Sequence, residues 1–426
     1  MRLLHTADLH LGQILYQYYD RIAEHDHFFG QLEVWCNQYR PDALVVCGDI
    51  FDIPQPGAAN KEYFNHTLAN LHMHYPDMAI VVIAGNHDSA ARIEADSVVW
   101  GLSGVTVVGQ APSPVSLLTD SQKDRFIVEL PKGFIITVPF MPSVRREAVQ
   151  TLLDRVAERN RDNKPVVMCG HLAINGVDFM GHGDIGNQKV QDKAEMGHGY
   201  DYLALGHIHR PQTIGQDLAD ESCPASVYPA GAIRYSGSAL HVSCDERYPH
   251  SVSLVDIESH GSDVQVTRLR IDELFHFYTL PDESRQPAKS SEEVIGLIRR
   301  FCEEHERGYF RLRLDYNASL PSGFIQTIYQ ELESSGKQIR FNPKTLWSEK
   351  PDGETDKAKP SFEMAELQQM DNPYLFVART LDQFPLLDRD TLVEDFEEIR
   401  NEVKNIEEEE SAKPTQRKIT KQDIGQ

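Results

Sequence analysis

Five apolar runs in this chain stop in the same way, and that repetition limits the folds open to it. Leu3-Leu4-His5-Thr6 leads to Asp8-Leu9-His10, Ala43-Leu44-Val45-Val46-Cys47 to Gly48-Asp49, and Ala79-Ile80-Val81-Val82-Ile83-Ala84 to Gly85-Asn86-His87-Asp88. Pro165-Val166-Val167-Met168-Cys169 leads to Gly170-His171, and Tyr202-Leu203-Ala204-Leu205 to Gly206-His207-Ile208-His209. Short aliphatic runs closed by turn residues read as buried strands. Residues 20–40 and 59–75 between them carry apolar side chains at helical spacing (Ile22, Phe29, Leu32, Cys36, Tyr39; Tyr63, Leu68, Leu71), with Pro41 ending the first. A further helix is expected near residues 89–102. Strands alternating with helices predict an α/β fold whose largely parallel sheet has helices on its faces. Val105-Thr106-Val107-Val108, Phe126-Ile127-Val128 and Phe134-Ile135-Ile136-Thr137-Val138 predict a second sheet packed on the first.

Sheets of this kind bind ligands beyond the carboxyl ends of their strands. Five loops would therefore pool Asp8, His10, Asp49, Asn86, His87, Asp88, His171, His207 and His209 in one place. Gly-Asn alone is ordinary turn chemistry, and a single Asp-x-His or His-x-His pair is weak. Five strand ends that all carry ligand-type residues are not. Two carboxylates (Asp8, Asp49), four imidazoles (His10, His171, His207, His209) and one amide (Asn86) suit two divalent cations with mixed nitrogen and oxygen ligands, manganese, iron or zinc. Asp49 ends a central strand and is placed to bridge, since one carboxylate can share its oxygens between cations about 3.5–4 Å apart. In Asp8-x-His10 and His207-x-His209 the spacing puts both ligands on one side of an extended segment.

Length and composition set the wider frame. At 426 residues the chain exceeds one ordinary core, so a large domain with a smaller companion is expected. Six cysteines are scattered without a Cys-x-x-Cys pair, as reduced core residues of a cytosolic protein would be. The opening meets polar residues too early for a signal peptide, and no apolar run is long enough to span a bilayer, so a soluble, cytoplasmic protein without membrane contact is expected. A formal charge of −23 argues against nucleic acid as a partner. Two dications, however, would bring about +4 against two ligand carboxylates and make the site locally positive. Arg145, Arg146, Lys189, Lys193, Arg210 and Arg234 are candidate phosphate contacts.

A main unit is expected over residues 1–274. It includes a long Gly- and His-containing connection from Gly176 to Gly199, whose His182 and His198 are either solvated, as loop histidines mostly are, or in contact with substrate, and an acidic surface insertion from Gln216 to Ser226. An α+β module follows over 275–347: a helix at Ser291–Glu304, a strand at Tyr309–Leu314, a helix at 321–334 and a strand at Gln338–Phe341. Residues 348–362 read as a linker, and 363–410 as a helical segment (Leu392, Phe396, Ile399, Val403, Ile406) offered to a partner. Residues 411–426 read as a disordered tail.

With these residues in this order the sequence resembles the calcineurin-like metallophosphoesterases, whose five motifs match Asp8-Leu9-His10, Gly48-Asp49-Ile50-Phe51-Asp52, Gly85-Asn86-His87-Asp88, Gly170-His171 and Gly206-His207-Ile208-His209. Within them, Arg2 to Gly12 and Ile233-Arg234-Tyr235-Ser236-Gly237-Ser238 resemble the SbcD family of nuclease subunits, strongly over about residues 1–275 and more loosely beyond. The resemblance implies a two-sheet sandwich flanked by helices, with 275–347 as a capping domain. It implies one cation on Asp8, His10, Asp49 and His209 and a second on Asp49, Asn86, His171 and His207, most in keeping with Mn2+. His87 would be the catalytic histidine that contacts the scissile phosphate and protonates the leaving oxygen, with Asp88 orienting it and Asp52 in a supporting or turn-forming role. It further implies in-line hydrolysis of DNA phosphodiesters: 3′ to 5′ exonuclease action on duplex ends and endonuclease action on single strands or hairpins in double-strand-break repair. The partner would be an SbcC-type coiled-coil ATPase docked by residues 363–410, in a two-plus-two complex whose homodimer forms through helices within 59–102. The alternatives are a phosphoesterase for small phosphoesters and a catalytically silent scaffold.

Overall fold

All five apolar runs fold as strands, buried along nearly their whole length. The structure, a computed structural model, describes residues 1–348 except 17, 96, 102, 112–118, 143–145, 179–189, 244 and 322–323. The expected helical segment and tail, all but the first residue of the linker, and His182, Arg145 and Lys189 lie outside the described residues.

The chain begins with β1 (Arg2–Thr6), α1 (Ile22–Tyr39), β2 (Ala43–Cys47), α2 (Ala58–His74), β3 (Ala79–Ile83), two short helices α3 (Ala90–Glu94) and α4 (Ser97–Gly101), and β4 (Val105–Val108). These four strands pair in parallel, Leu4 opposite Leu44, Leu44 opposite Ile80, and Ile80 opposite Val105. The expectation that Val105–Val108 opens the second sheet is thus corrected: the short α3–α4 crossover returns it to the edge of the first. There follow α5 (Asp120–Asp124), β5 (Ile127–Leu130), β6 (Gly133–Val138), α6 (Arg146–Arg159), β7 (Val166–His171), β8 (Tyr202–Gly206), β9 (Gln212–Thr213), β10 (Ala225–Tyr228), β11 (Ala232–Tyr235), β12 (Ser251–Ile257) and β13 (Val264–Arg270). The first sheet runs β10-β13-β12-β1-β2-β3-β4 and the second β5-β6-β7-β8-β11-β9. The first is parallel only in its β1–β4 half, because β12 pairs antiparallel to β1 and β13 to β12.

Alternation along the strands explains why they read as unbroken apolar runs. Leu3, Val45 and Val81 share a core with Ile135, Val167 and Leu203 of the second sheet. Their neighbours Leu4, Leu44 and Ile80 point the other way, onto Phe28 and Leu32 of α1 and Phe64 and Leu68 of α2. Side chains of period two with both faces covered leave no polar position in a strand. The polar residues are displaced to the strand ends, and stacking brings the ends of β1, β2 and β3 against those of β7 and β8.

A third sheet holds β14 (Phe277–Leu280), β15 (Ala288–Ser290), β16 (Arg307–Ser319) and β17 (Gln338–Trp347), with α7 (Ser291–Glu304) and α8 (Phe324–Ser335) between its strands. Ser290 caps α7 by accepting from Glu293 N. Its core, including Val294, Ile298, Phe310, Ile328 and Phe341, is separate from those of the other sheets. The strand β17 extends to Trp347, past Phe341 where the sequence reading ends it. Contact with the first sheets includes an apolar cluster of Leu15, Phe275 and Tyr309 and a polar knot beside it: Glu24 pairs with Arg21 at 2.6 Å and accepts from Tyr309 Oη at 2.6 Å, and Arg340 approaches the same carboxylate at 3.3 Å.

Candidate metal centre

Four of the candidate ligands sit on strained backbone. Asp8, His10, Asp49 and His207 have φ of 52, 47, 49 and 94°, making up four of the seven non-glycine residues with positive φ among those described. Such conformations cost on the order of 1–3 kcal/mol each and persist where neighbours over-determine them. Here Asp8 N donates to Gly48 O and His10 N to Asp49 O, both at 3.0 Å, and His207 N donates to Asp8 Oδ1 at 3.0 Å. The expected extended geometry of Asp8-x-His10 is therefore corrected: left-handed turns present the two side chains.

The side chains converge from two sheets, and the expectation that a single sheet edge would gather them is corrected. Ligand atoms of Asp8, His10 and His209 lie within 4.8 Å of one another, as do those of Asp8, Asp49 and His171. Asp49 Oδ2 is 3.8 Å from His10 Nε2 and 3.4 Å from His171 Nε2, between the two groups. Asn86 Oδ1 lies 2.9 Å from both His171 Nε2 and His207 Nδ1. His171 Nδ1 donates to Cys47 O at 2.8 Å, which leaves Nε2 to face the others. Glycine makes the approach feasible. A Cβ on Gly48, whose φ is +86°, would stand 2.7 Å from His171 Cγ and 2.8 Å from Gly85 Cα.

Charge is concentrated here on buried side chains, Asp8, His10, Asp49 and His171 among them. Burial pushes the Asp8 carboxyl up to about 6, against the pull of His171 and His209. Burial also opposes ionisation of Asp49, but His171, His10 and His87 outweigh it and hold that carboxyl well below its usual range. His171 is desolvated, yet Asp49 and Asp8 raise it to about 9, while burial and the neighbouring His171 drive His207 down to about 3. His10 Nδ1 and Nε2 and His207 Nε2 are buried without a hydrogen-bond partner. An unsatisfied buried polar atom is costly, and lone pairs so placed suit a divalent cation, so the residues fit a cation pair.

His87 stands beside this group, half-buried, its ring 4.9 Å from that of His10. Its backbone N–H donates to Asp49 Oδ1 and its Nδ1 to the Asp52 carbonyl, both at 2.8 Å. A carbonyl only accepts, so Nδ1 carries the proton and Nε2 is the working atom. The expectation that Asp88 orients His87 is corrected. The Asp88 carboxylate accepts from the backbone N–H of Ile50 (3.0 Å), Phe51 (3.0 Å) and Gly85 (2.8 Å), clamping the Asp49 loop to the Asn86 loop. Orientation of His87 falls to the Asp52 main chain, a contact without a side-chain signature. The Asp52 carboxylate lies 3.2 Å from His10 Nδ1, off the hydrogen-bond direction.

Of the candidate phosphate contacts, Arg234 is fully buried, paired with Glu221 at 2.7 and 2.9 Å. Glu221 also accepts from Arg268 Nε at 2.8 Å, and Ala225–Tyr228 pairs with β13. The Gln216–Ser226 stretch lies at the surface as expected, with most of its described residues exposed, but Glu221 and the start of β10 anchor it to the first sheet. Arg210 is held by Asp178 at 2.7 Å, whereas Arg146 and Lys193 are exposed, as is the loop residue His198. Glu246, in a loop that no motif distinguishes, lies with Oε1 3.3 Å from His209 Nδ1.

Two stacked mixed sheets with ligand residues at their joined edges define a class, and residues 1–211 match the family model of the calcineurin-like phosphoesterases. Just under half of the chain is thus similar to that family. Among curated proteins the chain is similar to the SbcD subunit of the SbcCD nuclease of Rhodobacter capsulatus, at 29% identity over 290 residues, covering 60% of this chain and 66% of the relative. It is similar also to the SbcD proteins of Escherichia coli K12, at 30% over 281 residues, 59% and 65%, and of Bacillus subtilis 168, at 29% over 283 residues, 60% and 66%. The likeness to SbcD read from the motifs holds over these residues, and the match spans just under two thirds of each relative. No helix among the described residues is long and apolar enough to cross a membrane.

Proposed function

We propose that this chain is a dinuclear-metal phosphodiesterase, and that it serves as the nuclease subunit of an SbcC–SbcD-type complex. The observation that carries this reading is the meeting of candidate ligands from five strand ends: Asp8, His10, His209, Asp49 and His171 in two groups at ligand distance, Asn86 and His207 against His171, and the half-buried His87 alongside. Asp8, His10, Asp49 and His209 would hold one cation and Asp49, Asn86, His171 and His207 the other, with Mn2+ the proposed metal. The cations would supply charge neutralisation at the phosphate and acidify water. His87, steadied through Nδ1 by the Asp52 carbonyl, would contact the scissile phosphate and donate a proton to the leaving oxygen from Nε2. Asp88 would keep the Asp49 and Asn86 loops in register. DNA is the proposed substrate, by exonuclease action 3′ to 5′ on duplex ends and endonuclease action on single strands and hairpins. The third sheet and its helices, residues 275–347, would be the cap that positions it, and 363–410 the segment that engages a coiled-coil ATPase in a two-plus-two assembly.

Degradation of linear duplex DNA with Mn2+, with and without the ATPase, is the test, comparing wild type with His87→Ala and Asp49→Ala. Wild type is expected to degrade DNA and both variants to lose activity by about 10²-fold or more, as for removal of a proton donor or of a bridging ligand. DNA left intact under both conditions, together with rapid hydrolysis of a small phosphodiester, would refute the nuclease reading in favour of a small-phosphoester enzyme. Full rate in His87→Ala would refute the role of that histidine.

A further inference from the structure

The two halves of the metal centre are backed differently. In the half formed by His171, the outer nitrogen Nδ1 leans on a neutral group, the Cys47 carbonyl. In the half formed by Asp8, His10 and His209, the outer nitrogen of His209 leans on the Glu246 carboxylate. Glu246 is itself buried, 4% exposed, and is held in turn, its Oε2 accepting from Val242 N at 3.0 Å. The surrounding loop is tied to the ligand backbones as well: Ser238 N donates to His209 O at 3.0 Å and Ala239 N to Asp8 O at 3.4 Å. The His250 ring, with Nδ1 2.8 Å from Ser238 O, brings Nε2 to 3.4 Å from Glu246 Oε2, closing the loop on itself.

We infer that Glu246 is a positioning residue for metal binding: its carboxylate fixes the tautomer and ring direction of His209 and strengthens Nε2 as a donor to the cation held with Asp8 and His10. The inference rests on the metal-centre reading above. A ligand histidine whose other N–H meets a carboxylate is fixed in tautomer and made more basic, and loss of such a partner costs about 10–100-fold in metal affinity. Asp49 is shared by both cations, whereas His209, the ligand that Glu246 backs, is assigned to one of them alone. Loss of the carboxylate should consequently fall on one of two binding steps.

The test is calorimetric titration of metal-free full-length protein with Mn2+, for wild type, Glu246→Gln and Glu246→Ala, with Co2+ absorption spectra of each. Wild type is expected to take up two equivalents. Glu246→Ala should weaken one step by about 10–100-fold and leave the other unchanged. Glu246→Gln, which keeps a neutral acceptor and the shape of the side chain, should fall between, with an altered Co2+ spectrum for one equivalent and a melting curve close to wild type. Two unchanged steps and an unchanged spectrum in Glu246→Gln and Glu246→Ala would overturn the inference while leaving the metal-centre reading intact. A wild-type protein that takes up no Mn2+ or Co2+ would overturn both.

Discussion

Replacing Gly85 by alanine is a one-carbon perturbation aimed at the most crowded point of the site. A Cβ built there would overlap both Oδ1 and the backbone N of Asp49, and would stand 2.8 Å from its Cγ. Non-bonded carbons settle at about 3.5–4.0 Å, so Gly85 and Asp49 must separate by about 1 Å. Rotation of the carboxylate cannot relieve a clash that also involves its backbone. The loop that follows β2 must shift, taking with it the contacts of Asp49 Oδ2 to His171 and His10 and of Oδ1 to His87 N. A misplacement of about 1 Å costs on the order of 10²-fold in rate, and overpacking costs about 1–3 kcal/mol of stability. Gly85→Ala is therefore expected to fold, to melt somewhat earlier, to retain less Mn2+ after dialysis, and to hydrolyse bis(p-nitrophenyl) phosphate about 10²-fold more slowly. Gly30→Ala is the control, since no atom lies within 4 Å of a Cβ on that exposed residue of α1. It should gain about 0.5–1 kcal/mol with unchanged rate. A Gly85→Ala protein with the wild-type rate and metal content would refute the bridging position assigned to Asp49.

Three further outcomes bear on the scaffold. Glu221→Ala leaves the fully buried Arg234 and the nearby Arg268 without their shared carboxylate, and should cost about 3–5 kcal/mol in urea unfolding; a loss below about 1 kcal/mol would show that the pair is dispensable. Tyr309→Phe removes the 2.6 Å hydrogen bond to Glu24 and should lower stability by about 1–3 kcal/mol, an effect that should shrink when Glu24 is also changed to Gln. His5 is driven to about 3 by burial, helped by the charge of Arg234. Above its unfolded value near 6.5 it is neutral in both states, and as pH falls below that only the unfolded chain takes up the proton. Metal-free protein should thus lose on the order of 2 kcal/mol through His5 alone between about pH 7.5 and 5, and urea midpoints for His5→Gln should fall less steeply over that range; parallel slopes would contradict the neutral buried state.

What a chain of this kind discloses in advance is what depends on near neighbours along it. The runs at Leu3, Ala43, Ala79, Pro165 and Tyr202 were legible as strands because both faces of each strand are covered, so every position had to be apolar. The helices at Ile22–Tyr39 and Ala58–His74 and the αβ alternation of 291–347 were legible from their apolar spacing in the same way. Ligand-type residues were conspicuous at the strand ends because the strands themselves exclude them.

Which strands neighbour one another, and which side chains meet, was settled only by packing. Val105–Val108 looks like any short strand, and only its register against Ile80–Ile83 assigns it to the first sheet. Asp88 adjoins His87 in sequence, yet its carboxylate turns to the N–H groups of Ile50 and Phe51, while the imidazole finds a carbonyl 35 residues away. Arg234 lay in a recognisable motif but is consumed by Glu221, and Glu246 lay in none but reaches His209 across 37 residues. Residue type and local period determine what a segment can become. The partners of a buried charge are determined by the desolvation it suffers once the sheets have closed, when any carboxylate or carbonyl within reach must be used.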